Sequence, residues 1–382
     1  MKIAIISTSA TIGGAAIASS RLADALSRQG QDVSMVTLDG RSRLPFLAER
    51  AEIFARNGLS RTNLFKVSTA TFGLPVASLP EVREADAVLL GWFNQGLLSL
   101  SGLASLGKPI VWTMHDMWAF TGICHHSLGC ERFKAECGRC RFIRPPFQRR
   151  SDMSHSVWRE KNRIYRSLPI HFVAVSRWLA EKARSSSLLR GCPVSIIPNP
   201  HPISDYTPRR GRENLIVMGA ARLDDPIKGI DSAVTALNAV YDHIPDAKVE
   251  FFGRIRNARV LSRLRMPYTL AGMLGNEALN NLYGRASVVL SSSGFETSGN
   301  TLIEGMACGA VPVSFDRGGQ TDIIDHLSTG YLASCGDTDD LARGIRWALK
   351  TESDPQLLHD AAESRFGADA VAARYIDLIN SL

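Results

Sequence analysis

The sequence predicts an α/β protein built from two doubly wound, Rossmann-like domains, and three observations carry that reading. Short, almost fully apolar runs recur along the chain, beginning with "KIAIIS" at 2–7. They alternate with longer segments of helical periodicity, the pattern of a sheet covered by helices. A Pro- and Arg-rich interruption, "PNPHPISDYTPRRGREN" at 198–214, separates two such series and reads as a linker. Runs that are apolar at every position suit parallel strands buried on both faces.

In the first series, "KIAIIS" is followed by a glycine loop, a helix ending near Gly30 and a second strand, "DVSMVTLD". "ADAVLLGW" (85–92) is a strand and "QGLLSLSGLASLG" (95–107) a helix. "KPIVWTMHD" (108–116) and "PIHFVAVS" (169–176) are further strands. The helix "RWLAEKARSSSLL" and the strand "PVSIIPN" (193–199) close this half. The second series opens with the strand "LIVMGAA" (215–221) and the helix "GIDSAVTALNAVYDHI". The strands "AKVEFFG" and "YTLAGML", the helix "NEALNNLYGRA" and the strand "SVVLSSS" come next. "NTLIEGMACG" is a helix, "AVPVSFD" a strand and "DTDDLARGIRWALKT" a late helix. The domains are expected at 1–198 and 199–365, with a helix at about 366–382 packing back onto the first. Two such domains normally face each other across a cleft, with ligands at the carboxyl ends of the strands.

A chain of 382 residues fits two or three domains at roughly 100–200 residues each. A 45% hydrophobic and 21% charged composition is that of a soluble globular protein. The net charge of +7 is compatible with an anionic partner or with simple solubility. There is no apolar run of spanning length, and the amino terminus reads as a first strand because its apolar core breaks after Ile6. A cytoplasmic location is expected, in which the seven cysteines serve as thiols or metal ligands rather than disulfides.

"GFETSGNTLIEGMACGAVPV" (294–313) places Glu296 just past the strand "SVVLSSS". A helix starting near Asn300 or Thr301, with Gly299 allowing close approach, offers free amides as an anion site. Glu304 lies one turn into that helix. Carboxylate, anion cradle and carboxylate match a sugar joined through a diphosphate to a ribonucleoside, since carboxylates accept hydrogen bonds from vicinal hydroxyls. A cap at Glu296 with a solvated Glu304 is the structural alternative. A glycosidase pair would flank one glycosidic bond directly, whereas here a cradle intervenes. Upstream, "GAARLDDPIKGID" supplies Arg222 and Lys228, two cations suited to a departing diphosphate, or else ordinary surface charges.

Together, "ARLDDPIKG", "FETSGNTLIEGMACGAVPVSFDRGG" and the amino-terminal Gly-Gly loop resemble the retaining glycosyltransferases of family 4, with the GT-B fold, over nearly the whole chain. "WTMHDMWAFTGICHHSLGC" and "VSRWLAEKARSSSLL" resemble a subgroup acting in bacterial exopolysaccharide or O-antigen assembly. The resemblance implies that Glu296 contacts the donor sugar and Glu304 the ribose. It implies that Arg222 and Lys228 hold the diphosphate, with backbone groups of Gly299, Asn300 and Thr301 completing the contacts. Leu274, in "AGML", would frame the base. Members often carry Gly-Phe-Gly after the first Glu; here Thr297-Ser298-Gly299 keeps only the last glycine.

In the first half, "STSATIGGAAIAS" lacks a full dinucleotide fingerprint, although Asp39 ends the second strand. The resemblance instead brings Gly13 and Gly14 to the donor phosphate or the acceptor. It makes His115, which follows a strand in "VWTMHDMWAF" beside Asp116, a contact to the reacting sugar; a satisfied structural histidine is the alternative. No third carboxylate stands out as a nucleophile; the resemblance implies reaction on one face, with the leaving phosphate itself taking the acceptor's proton. The absence of an Asp-x-Asp motif points to metal-independent catalysis.

Cys124, Cys130, Cys137 and Cys140 fall within 17 residues. Structural zinc, free thiols and disulfides are all compatible with this spacing. The arginine-rich stretch 141–167, interleaved with Trp158 and Tyr165, suits an anionic membrane, a lipid-linked diphosphate or a solvated helix face. No nucleic-acid recognition module is visible. The expected function is hexosyl transfer from a UDP, GDP or ADP sugar to a glycan or polyprenyl-diphosphate-linked glycan, with no cofactor for catalysis. Such an enzyme would work in the cytoplasm or on the inner face of the plasma membrane, making surface polysaccharide. A nucleotide-sugar-binding regulatory protein and an epimerase of the same fold are the alternatives.

Overall fold

The computed structural model describes residues 1–209 and 212–382. Arg210 and Gly211, within the expected linker, lie outside the described residues. The chain divides into two compact units, Met1–Pro198 with Val371–Leu382, and Asn199–Ala370.

The first unit holds a six-stranded sheet: β1 (Lys2–Ile6), β2 (Asp32–Val36), β3 (Ala87–Leu90), β4 (Ile110–Met114), β5 (Ile170–Ala174) and β6 (Val194–Ile196). Its strand order is β2-β1-β3-β4-β5-β6, and all pairings are parallel. Every residue of β3 and β4 is buried, as two covered faces require. The helices are α1 (Gly14–Arg28), α2 (Leu44–Arg56), α3 (Pro80–Arg83), α4 (Leu100–Ala104), α5 (Met153–Tyr165) and α6 (Arg177–Arg184).

Two sequence expectations need correction here. The helix expected over 95–107 shrinks to α4, which Ser99 caps through its side chain. Gln95 and Gly96 instead take left-handed backbone, and a Cβ on Gly96 would meet the Phe46 backbone nitrogen at 2.4 Å. The close passage of α2 therefore selects a turn over a helix. The basic stretch 141–167 is not simply a solvated face either. α5 buries Met153, Val157, Lys161, Ile164 and Tyr165. Lys161 donates from inside the unit to the carbonyls of Trp118, Thr121 and Gly122 and stacks over the Trp118 ring.

The second unit repeats the architecture with β7 (Glu213–Arg222), β8 (Lys248–Arg254), β9 (Tyr268–Gly272), β10 (Ala286–Ser291), β11 (Val311–Phe315) and β12 (Tyr331–Ala333). The order is β12-β11-β10-β7-β8-β9, again all parallel. Its helices are α7 (Ile230–Tyr241), α8 (Asn276–Arg285), α9 (Asn300–Ala307), α10 (Thr338–Lys350) and α11 (Pro355–Phe366). The final helix, α12 (Ala368–Asn380), carries the chain back to the first unit. There the buried Tyr375 hydroxyl pairs with Thr113 Oγ1 of β4 at 2.8 Å.

Candidate active site

In the second unit the expected residues sit at the carboxyl end of the sheet. β7 ends at Arg222, whose Nε lies 3.4 Å from Asp224. Asp225 then caps a short turn through Ile227, which presents Lys228. Gly229 follows in left-handed backbone, and a Cβ there would lie 2.1 Å from the Ser292 carbonyl oxygen. Only glycine lets this loop approach the end of β10 so closely. Ser292 Oγ staples it, its one hydroxyl proton shared between the carbonyls of Lys228 and Gly229, both at 2.9 Å.

This approach brings Lys228 Nζ to 2.7 Å from Glu296 Oε2. Thr297 N donates to the other carboxylate oxygen at 3.2 Å. Burial pushes the Glu296 carboxyl up, but the Lys228 ammonium and the amides of Ser298 and Thr297 outweigh it and hold it below the usual 4.5. Glu296 is thus more than a helix cap. It neutralises the lysine that the sequence assigns to a diphosphate. The turn Gly318–Gly319 backs it, with Gly319 N donating to the Glu296 carbonyl at 2.9 Å.

Gly299 precedes α9 in left-handed backbone and no side chain caps the helix there. The α9 start at Gly299, Asn300 and Thr301 therefore keeps the amide character that favours an anion. Glu304 is buried, not solvated. The Tyr283 hydroxyl donates to its Oε2 at 3.4 Å, and His201 Nδ1 lies 3.9 Å from its Oε1. Leu274 lies beyond β9, at the same sheet end but on the outer strand, and is half-buried against the core. The sequence reading missed Ser292, Tyr283, His201 and the Gly318–Gly319 turn. Of these, only the "DRGG" run carried a signal.

In the first unit Gly13 (φ 96°) caps α1, with Gly14 as its first residue, beyond β1. A Cβ on Gly13 would meet nothing within 4 Å, so the loop is open there. His115 follows β4 at the same sheet end. Burial lowers its pKa to about 4 against the opposing charge of Asp116, so the imidazole is neutral at pH 7.

Asp116, beside it, is held by several partners. It accepts from Trp92 Nε1 (2.8 Å) and Trp118 N (2.7 Å) and pairs with His125 Nδ1 (2.7 Å). His125 Nε2 in turn meets the buried Ser68 hydroxyl at 3.0 Å. Burial raises the Asp116 pKa, but His125 and the Trp118 amide bring it down to about 2. A carboxylate depressed from 3.8 contributes stability above that value and loses it as pH falls toward 2. Asp116→Asn is therefore expected to cost about 2 kcal/mol at pH 7. A lower urea midpoint that converges with the parent below pH 4 would report it; equal midpoints at pH 7 would refute it.

The four clustered cysteines are free thiols, not disulfides. Burial pushes Cys137 up to about 11 and Cys140 to about 12, the former against a 3.2 Å bond from Gly122 N. Among the described residues no three His, Cys, Asp or Glu side chains are placed to hold a metal ion. The described structure therefore does not bring Cys124, Cys130, Cys137 and Cys140 together as a metal-ligand set.

Two family profiles cover most of the chain: Glycosyltransferase Family 4 matches residues 12–204, and Glycosyl transferases group 1 matches 207–365. Phosphatidyl-myo-inositol mannosyltransferase of Propionibacterium freudenreichii is 29% identical over 194 residues, 48% of this chain and 49% of that protein. The putative colanic acid biosynthesis glycosyl transferase WcaC of Escherichia coli is 32% identical over 131 residues, 32% of this chain and 30% of its own length. The chain thus spans half or less of these curated relatives. Anabaena Alr3699/HepE, solved with UDP, superposes over the full length of both chains with a TM-score of 0.65 at 16% identity. A Rickettsia africae glycosyltransferase gives 0.66 at 14% identity, covering 99% of this chain and 98% of that one. Their common architecture is the GT-B fold of two α/β units, and this chain likewise folds into two parallel six-stranded sheets. With half of its length matching the Family 4 profile and most of the remainder the group 1 profile, the chain belongs to glycosyltransferase family 4.

Proposed function

We propose that the protein is a retaining glycosyltransferase that moves a hexose from a nucleoside-diphosphate sugar to a hydroxyl of a glycan or a polyprenyl-diphosphate-linked glycan. The observation that carries this reading is the Lys228–Glu296 pair at 2.7 Å, set beside an uncapped α9 start with Glu304 buried one turn further on. A diphosphate gives Lys228 a second anion and finds the α9 amides of Gly299, Asn300 and Thr301. Glu296 then accepts from donor-sugar hydroxyls, and Glu304 from the ribose. Arg222 adds charge to the diphosphate, and Leu274 borders the base.

As the anomeric C–O bond to phosphate breaks, Lys228, Arg222 and the helix amides stabilise the developing charge. The acceptor oxygen bonds to the anomeric carbon on the same face, and its proton passes to the leaving phosphate oxygen. Gly13 and Gly14 are assigned to phosphate or acceptor, and His115 to a sugar hydroxyl. With a pKa of about 4 this histidine is a poor general base and orients rather than deprotonates. The charge bookkeeping needs no metal.

UDP is the favoured nucleotide, because Anabaena Alr3699/HepE was solved with UDP and with UDP-glucose. Synthesis of bacterial surface polysaccharide is favoured by the likeness to WcaC. A cytoplasmic protein at the inner membrane face suits such an acceptor, and no described helix is long and apolar enough to cross a membrane. The test is incubation with UDP, GDP and ADP hexoses while free nucleoside diphosphate is followed. Slow donor hydrolysis with UDP hexoses is expected. Tight nucleotide binding without diphosphate release, with or without acceptor, would overturn the enzyme reading and favour a regulatory binding protein.

A further inference from the structure

α2 is turned inside out. Its buried face carries Glu49 and Arg50 along with Ile53, and its exposed residues are Leu44, Leu47, Ala51, Ala55 and Arg56. Leu44 is 72% exposed and Leu47 57%. A surface helix ordinarily points its apolar stripe at the core and its charges at water.

The inward charges have partners. Glu49 Oε2 meets Arg50 Nη2 at 2.9 Å, and Glu49 Oε1 accepts from Thr69 N and Ala70 N, both at 2.8 Å. Arg50 Nη1 donates to the carbonyls of Leu64 and Val67. The polar face thus tethers the segment 64–70, and the leucines are left outside. That tether also brings Phe65, 64% exposed, to the helix, with Arg50 5.7 Å from its ring centroid and 5.8 Å from that of Phe46.

The chain segment that carries this apolar patch is net positive. The stretch 41–66 holds six cations and two carboxylates, a net +4. Both carboxylates, Glu49 and Glu52, are engaged by Arg50 and Arg56. Arg41, Arg43, Arg61 and Lys66 are exposed and make no ion pair among the described residues. Exposed leucines and a phenylalanine flanked in the chain by exposed cations complement an anionic lipid surface: headgroups meet the cations, and the side chains reach the acyl boundary.

We propose that the outer face of α2, with Phe65, docks the protein on anionic bilayers. This inference does not depend on the transfer reaction, and its test needs no substrate. The full chain is sedimented with vesicles of phosphatidylcholine alone or of equal parts phosphatidylcholine and phosphatidylglycerol. Binding to the anionic vesicles only is expected, weakening as salt rises. Arg41→Ser with Arg43→Ser should weaken it about 30-fold, at the surface-charge worth of two arginines. Leu44→Asp with Leu47→Asp should abolish it. All four positions are solvent-facing, so thermal unfolding should match the parent, which separates lost docking from lost fold. No binding to anionic vesicles, equal binding to neutral ones, or full binding by the leucine variant would overturn the proposal. So would a dimer seen by ultracentrifugation that the leucine variant abolishes while vesicles are ignored, which would assign the face to a second copy.

Discussion

Lys228→Ala is expected to lower kcat about 10²–10³-fold, the usual consequence of removing one group that stabilises charge developing in the transition state. In the free protein its ammonium is held by Glu296 at 2.7 Å, so the same change also strands a carboxylate. Both side chains of the pair are about one-fifth to one-quarter exposed. The stability loss should therefore fall between a surface and a buried ion pair, about 1–2 kcal/mol. Its pH dependence follows from the lowered pKa of Glu296. The pair's contribution is present above about 4.5, the carboxyl's ordinary value, and is lost as pH falls below it. Lys228→Ala combined with Glu296→Gln removes the stranded charge and should recover most of the melting temperature without recovering turnover. Initial rates with a UDP hexose and thermal unfolding of the parent and both variants check this. A single variant with parental kcat would end the leaving-group role of Lys228.

Glu304→Ala should weaken nucleoside diphosphate binding about 10–100-fold, the worth of one or two charge-assisted hydrogen bonds to ribose. The Glu304 carboxylate is buried beside the Tyr283 hydroxyl and His201, so alanine also opens a space and leaves Tyr283 without its acceptor. Glu304→Gln keeps the volume and an acceptor while removing the charge. It should lose about 10-fold in affinity with little change in unfolding. Calorimetric titration with UDP separates the two effects. Unchanged affinity in both variants would show that the carboxylate is structural and faces Tyr283 alone.

Much of the fold was legible because the central strands are buried on both faces and so are almost wholly apolar. β1, β3 and β4 each appear as an uninterrupted run, and the alternation with helices follows from parallel pairing. The candidate site was legible to the extent that it lies within continuous segments. The Gly229 turn, the α9 start and the spacing of Glu296 and Glu304 all sit on short stretches whose local geometry sequence dictates. The 95–107 segment went the other way. Its periodicity is helical, but the backbone of α2 passes too close to Gly96 for a helix to run through.

By itself, then, the chain determined two parallel α/β units, the sheet end where its candidate site residues are gathered, and the family to which it belongs. Tertiary structure decided which charges meet. It paired Lys228 with Glu296 across 68 residues, buried Glu304 against Tyr283, and wired Asp116 to His125 in the loop beyond β4. It also turned α2 so that an ion pair faces inward and two leucines face out. The physical reason is range. Periodicity and turn chemistry act over a few neighbouring residues, whereas the pairing of a buried charge depends on partners that only the folded chain brings within hydrogen-bond distance.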